Sequence, residues 1–142
     1  GGYTSTQISD IGFIQIMSHG NEDSFGDLTN VRGHSSTAAS STRGLIAGGF
    51  SAPNYRNDIE SIEISTLGNA ADFGDLTANN VYLSGASSHI RGVWGGGFPS
   101  PDNTNVIQFV TIASAGNASD FGDLTTARRL TASCSDAHGG LE

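Results

Sequence analysis

Carboxylates recur in this chain at a fixed interval, and they are its first candidates for chemistry. Asp27, Asp75 and Asp123 each lie 48 residues from the next, and Asp72 and Asp120 are separated by the same 48. Clustered carboxylates hold calcium when a loop gathers six or more oxygens. No Asp-x-Asp-x-Asp-Gly loop is present, so the better reading is structural: a side-chain oxygen that caps turn amides, repeated because the turn is repeated. His19, His34, His89 and His138 fall at unrelated places in the same interval. A repeated zinc site would put them at equivalent places, with Cys or His at short spacing, so they read as loop or solvated residues. Cys134 is alone, which rules out an intramolecular disulfide and suits a small buried hydrophobe. No Gly-x-Ser-x-Gly elbow, Walker loop or His-Glu-x-x-His occurs, and Gly95-Gly96-Gly97 is not followed by Lys-Ser or Lys-Thr. These residues point to a non-enzymatic protein without cofactor or metal.

Two further groups are candidates for recognition rather than reaction. Arg32, Arg43, Arg91, Arg128 and Arg129 hold most of the positive charge, against 14 carboxylates. Ion pairs between neighbouring units are expected of them, with an anion site as the functional alternative. A polar segment follows each glycine run and varies between copies: Thr4 to Asp10, Ser51 to Asp58, Pro99 to Asn105. Within it Tyr55, Arg56, Asn57 and Asp58 of one copy, and Asp102, Asn103 and Asn105 of another, escape the constraint of the repeat. Loops on a rigid scaffold are where binding sits, which makes these the candidate ligand-binding residues. Trp94 replaces Ile46 and is expected to pack between units.

The elements that position these residues follow a repeat. Gly116-Asn117-Ala118-Ser119-Asp120-Phe121-Gly122-Asp123-Leu124-Thr125 matches Gly68 to Thr77 at all but one position, and Gly20 to Thr29 keeps Gly, Asn, Phe, Gly, Asp, Leu and Thr. Such a period means one supersecondary unit copied several times. Phe25, Phe73 and Phe121 are its recurring aromatics. Leu45-Ile46-Ala47-Gly48-Gly49-Phe50 aligns with Val93-Trp94-Gly95-Gly96-Gly97-Phe98, and Gly1-Gly2-Tyr3 is the tail of the same element. An isoleucine strand follows the polar loop: Ile11 to Met17, Ile59 to Ser65, Ile107 to Ala113. The pairs Ile14/Ile16, Ile62/Ile64 and Val110/Ile112 are two apart, which puts each pair on one face, toward the core. Small residues mark a fourth strand: His34 to Ser40, Tyr82 to Ser88, Leu130 to Asp136. The unit therefore has four short strands, and one of three units is split between the chain ends, two strands each.

Composition agrees with many short strands. Hydrophobic residues make up 36% and charged residues 14%, with 20 glycines and no helical apolar stripe. A formal net charge of -8 argues against nucleic acid and against anionic membrane surfaces. No run of 18 apolar residues offers membrane insertion. Residues 1–140 hold the repeats, and Leu141-Glu142 reads as a cloning scar.

An apolar strand ending in Gly-Gly, a variable loop, an alternating strand and an aromatic strand together resemble the kelch blade. The fuller pattern, Arg-Gly-Val-Trp-Gly-Gly-Gly-Phe, then Asn-Val-Ile-Gln-Phe-Val-Thr-Ile, then Gly-Asn-Ala-Ser-Asp-Phe-Gly-Asp-Leu-Thr, is similar to kelch-type repeats of marine bacteriophage and cyanophage proteins. Phe25, Phe73 and Phe121 stand where kelch usually has Trp. The resemblance implies a β-propeller in a phage structural or tail-associated protein serving adhesion or assembly, and hence a place on the virion. A β-trefoil or β-prism is the alternative, disfavoured because one strand per unit is Ser, Thr, Ala and Gly. Propellers typically have 4–8 blades. Three blades per chain are too few, so a homodimer forming one six-bladed ring is expected, with the split blade closed within one chain or between two. A carbohydrate-binding lectin module, with a glycan or host surface molecule as partner, is one alternative function. A fragment or engineered segment of a longer repeat array is another.

Overall fold

Runs of β-branched and aromatic residues, broken every few positions by Gly, Asn and Ser, form strands and no helix in the described part of the chain. The computed structural model describes residues 1–135. The small-residue strand expected to end at Asp136, the last glycines with His138, and Leu141-Glu142 lie wholly or partly outside them. The N-terminal part supplies β1 (Gly2–Tyr3), β2 (Gln7–Ile8), β3 (Asp10–Phe13) and β4 (Asp23–Asp27), paired antiparallel as β1-β2 and β3-β4. A four-stranded antiparallel sheet follows, in the order β5 (Ser36–Ala39), β6 (Arg43–Ser51), β7 (Asn54–Glu63) and β8 (Ala71–Asp75). The next unit repeats it with β9 (Ser84–Ser87), β10 (Arg91–Gly95), β11 (Val106–Thr111) and β12 (Ser119–Asp123). The chain is all-β, and each complete sheet has the expected four strands in simple up-and-down order.

The last strand of every unit carries the same irregularity. Pairing of β3-β4, β7-β8 and β11-β12 shifts register after Ile11, Ile59 and Ile107. Gly26, Gly74 and Gly122 sit opposite these shifts with φ between 147° and 155°, a conformation that glycine alone adopts without strain. A second device recurs at His34, Tyr82 and Leu130, with φ values of 57° to 61°; after His34 and Tyr82 the chain enters β5 and β9, whereas the expected strand after Leu130 is not formed over residues 131–135. These edge strands, β5 and β9, run side by side, and a Cβ on Gly85 would collide with the Thr37 carbonyl. Glycine stands at position 85 because a side chain there has no room against β5.

The core lies between the two complete sheets. Leu45, Ala47, Ile59 and Phe73 from one meet Trp94, Val110 and Ile112 from the other. Trp94 is fully buried, with its ring close to Leu45 and Ala38. The isoleucine pairs depart from expectation in two units. Val110 and Ile112 are buried, but Ile64 is 45% exposed, Ile14 63% and Ile16 91%. A period of two identifies a face and not what covers it. Val110 and Ile112 face a complete sheet, Ile62 and Ile64 face the two-strand N-terminal piece, and Ile14 and Ile16 lie past the end of β3. The polar loop also needs correction in the second unit. Tyr55, Arg56 and Asn57 belong to β7, which turns back on β6 through Ala52-Pro53. In the third unit Asp102, Asn103 and Asn105 do lie between strands.

Replacing Trp94 by alanine should cost about 3–5 kcal/mol in chemical denaturation, the range for a large aromatic removed from a packed core. The half-exposed Val31→Ala should stay within about 0.5 kcal/mol. A Trp94→Ala loss below about 1 kcal/mol would show that the two sheets do not share a core.

Candidate functional site

The most elaborate polar chemistry of this chain lies in the joint between successive units. Its first part covers the bulged strand. Gly68 N–H donates to the Phe25 carbonyl at 2.9 Å and Ala70 N–H to the Asp27 carbonyl at 2.8 Å, while the Asn69 carboxamide oxygen accepts the Asp27 amide at 3.0 Å. Forty-eight residues on, Gly116 N–H donates to Phe73 and Ala118 N–H to Asp75, both at 2.7 Å, and Asn117 accepts the Asp75 amide at 3.0 Å. A Cβ on Gly26 or Gly74 would strike the Gly68 or Gly116 carbonyl. Asparagine is therefore the capping residue of the repeat, acting across units. The Asp27 side chain instead accepts the Ser9 hydroxyl, and among these carboxylates Asp120 is one that caps an amide, that of Gly122.

The second part of the joint is buried and charged in one copy, neutral in the other. Glu60, 1% exposed, accepts the Thr29 amide at 2.8 Å and the Thr29 hydroxyl at 2.7 Å. Arg32, wholly buried, donates Nη1 to the Gly48 carbonyl and Nη2 to both Asp58 and Glu60. In the following joint Gln108 accepts the Thr77 amide at 2.8 Å and hydroxyl at 3.0 Å, and Asn80 donates to the Gly96 carbonyl at 3.0 Å. Val106 stands where Asp58 stood. A buried cation thus meets two carboxylates, and a neutral amide meets none. Burial alone would raise the Asp58 pKa, but hydrogen bonds from Arg56 and Arg32 outweigh it and hold the carboxyl below the usual range.

The expected ligand-binding residues do not converge on one site. The Tyr55 ring packs edge-on against Phe50 and Phe98, with centroids 5.5 and 6.1 Å apart. Arg56 pairs with Asp58 at 2.7 Å, and the Asn57 and Asn105 carbonyls accept the Leu76 and Leu124 amides. Asp102 and Asn103 are exposed beside Pro101. Of the remaining arginines, Arg43 pairs with Glu63 and donates to the Ile112 carbonyl of the next sheet at 2.9 Å. Arg91 and Arg129 lie over the Phe109 and Phe98 rings. Among the described residues no group of three or more metal-ligating side chains forms, and no helix is long and apolar enough to cross a membrane.

Arg32 makes the ion pairs between units expected of it; its partners and the rest of the joint were not singled out from sequence, yet a signal for them exists. Positions 32, 80 and 128 read Arg, Asn, Arg, while positions 58 and 60 read Asp-Glu and their counterparts 106 and 108 read Val-Gln. No protein-family model and no curated protein matches this chain.

Arg32→Met should cost about 3–5 kcal/mol, because the buried Glu60 loses its cation and the half-buried Asp58 is left with Arg56 alone. Combining Arg32→Asn, Asp58→Val and Glu60→Gln copies the neutral joint and should recover most of that loss in urea denaturation. A triple variant no better than Arg32→Met would contradict the pairing. Asp58, with its depressed pKa, contributes stability that is complete above the ordinary carboxylate pKa of about 4 and is lost as pH falls through its lower folded value. Urea midpoints should drop below pH about 4, and less steeply in Asp58→Asn; identical slopes would refute the assignment.

Proposed function

We propose that this chain is a non-enzymatic structural and binding module, half of a β-propeller that two copies complete as a six-bladed ring. The observation that carries the reading is the unequal use of one joint. Phe25 and Phe73 are 8% and 3% exposed because Gly68 to Ala70 and Gly116 to Ala118 cover them. Phe121, at the same place in the third unit, is 55% exposed, and a Cβ on Gly122 would meet nothing within 4 Å. Joints run in unit order from the N-terminal strands to β12, and among the described residues nothing occupies the donor side of β12 or the Gly20-Asn21 side of the first unit.

Four-stranded sheets stacked through their faces, with small-residue strands side by side, support the propeller over the trefoil or prism. The position of the C-terminal segment supports a blade shared between chains. Ser133 donates to the Gly85 carbonyl and accepts from Ser84, placing it against β9, where the small strand of a next unit belongs. The strands that would finish that unit, β3 and β4, lie instead against the far side of the β5–β8 sheet. The resemblance to kelch-type phage repeats makes adhesion or assembly on a virion the setting of this module, and the rigid ring its function.

Light scattering of the purified chain should give about 29 kDa, twice the 14.6 kDa chain. A mass of one chain at high micromolar concentration would refute the closed pair.

A further inference from the structure

Resting on that closed pair, the pattern of charges assigns the contact that holds it. We propose that Arg128 of one copy enters an acidic hollow formed by Asp10, Gly12 and Glu22 of the second copy, while Thr125 donates to the same Glu22.

The argument starts from what occupies the equivalent places inside the chain. Arg32 and Asn80 each reach forward into the next unit, to the Gly48 and Gly96 carbonyls. Arg128 is their counterpart, anchored in the same way: its N–H donates to Thr104, as those of Arg32 and Asn80 donate to Ile8 and Arg56. Among the described residues its guanidinium finds the nearby Thr126 carbonyl and Thr125 hydroxyl, and it is exposed. An arginine at this place needs two carboxylates opposite, as Arg32 has in Asp58 and Glu60.

The N-terminal strands supply both, through an exchange of positions. Asp10 is the counterpart of Asp58, and Gly12 that of Glu60 and Gln108, so the acid is missing from the strand itself. Glu22 stands where the other units have Ala70 and Ala118. Its side chain folds back over Gly12, and a Cβ on that glycine would coincide with the Glu22 carboxylate. A large residue has replaced alanine and glycine has replaced a large residue, which returns one carboxylate to the site that receives threonine and arginine. Around it is a hollow of about 260 Å³ lined by Asp10, Ile11, Gly12, Glu22, Asp23 and Ser24.

The apolar surfaces match in the same register. A hollow of about 250 Å³ on the β9–β12 sheet includes Ala86, Val93, Ile107 and Leu124 in its lining, the counterparts of core residues Ala38, Leu45, Ile59 and Leu76. Ile14 and Ile16, which protrude from the N-terminal strands, are the counterparts of the buried Val110 and Ile112 that pack on those core residues. Gly20 and Asn21 of the second copy are then placed to cover Phe121 and cap Asp123. Two copies make this contact twice, once from each C-terminal face.

Arg128→Glu and Glu22→Arg test the contact, each alone and mixed, by light scattering, with circular dichroism as the check on folding. Both side chains are exposed in the single chain, so each variant should keep the wild-type spectrum. Alone, each should weaken self-association by roughly 100-fold or more, since like charges then meet at both contacts. Mixed in equal amounts they should restore a mass of about 29 kDa. At one contact of the mixed pair the two reversed charges face each other, and at the other the native Arg128 faces the native Glu22. Wild-type chain that is itself monomeric would remove the closed pair and this contact together. Wild-type pairs with variants that still pair alone would leave the ring standing and overturn the contact. Variants that separate but fail to pair when mixed would also overturn it. If either variant misfolds, Arg128→Gln and Thr125→Val replace them, each expected to weaken association roughly tenfold; unchanged association in both would overturn the proposal.

Discussion

A strand with a bulged glycine cannot finish its own edge, and this molecule depends on how the next unit finishes it. Gly26 and Gly74 hold the backbone in a form without a side chain, which lets a Gly-Asn-Ala segment approach to hydrogen-bonding distance. Three hydrogen bonds then satisfy the edge, and a phenylalanine is covered in the same step. An open strand edge and an exposed aromatic are two liabilities of β-proteins. Here one contact removes both. The repeat is therefore a repeat of joints as much as of sheets, and the strand that lacks a following unit inherits both liabilities.

The buried polar groups behind that contact distinguish one joint from another. Arg32 with Asp58 and Glu60 makes the first joint ionic, while Asn80 with Gln108 and Val106 makes the second neutral. Desolvation offsets much of the attraction in a buried ion pair, so neither version need be much stronger. Their difference lies in what each rejects. A unit ending in arginine placed before Val106 and Gln108 would bury an unpaired charge, and a unit ending in Asn80 placed before Asp58 and Glu60 would leave the buried Glu60 without a cation. Correct order along the chain, and under the proposed ring correct pairing between chains, is enforced by the penalty on the wrong neighbour.

Much of this architecture is legible in the residues. Period, the four-strand unit, the small-residue strand and the absence of helix follow from Gly-Asn turns and alternation of two, because those are local properties. What is carried between units is not local. Asparagine and aspartate are equally good turn residues, and only the approach of Asn69 to an amide 42 residues earlier decides which one caps. The isoleucine pairs declare a face, but Ile16 lies past the end of a two-stranded piece, whereas Ile112 is hydrogen-bonded to Ile90 at the end of its own four-stranded sheet and packs on the one before it. Tyr55 to Asn57 read as loop because polar residues dominate them, whereas pairing with Gly49 and Phe50 extends the strand. Comparing the copies with each other, position by position, exposes the joint, since residues that touch across it change together.

Amide hydrogen exchange at Asp27, Asp75 and Asp123 tests the central claim most directly, because the three amides occupy one position in three copies of the joint. If the third joint is made by a second molecule, Asp123 is protected like Asp27 and Asp75 at high concentration and loses that protection on dilution. An Asp123 amide that exchanges as fast as an open strand edge at every concentration would contradict the account.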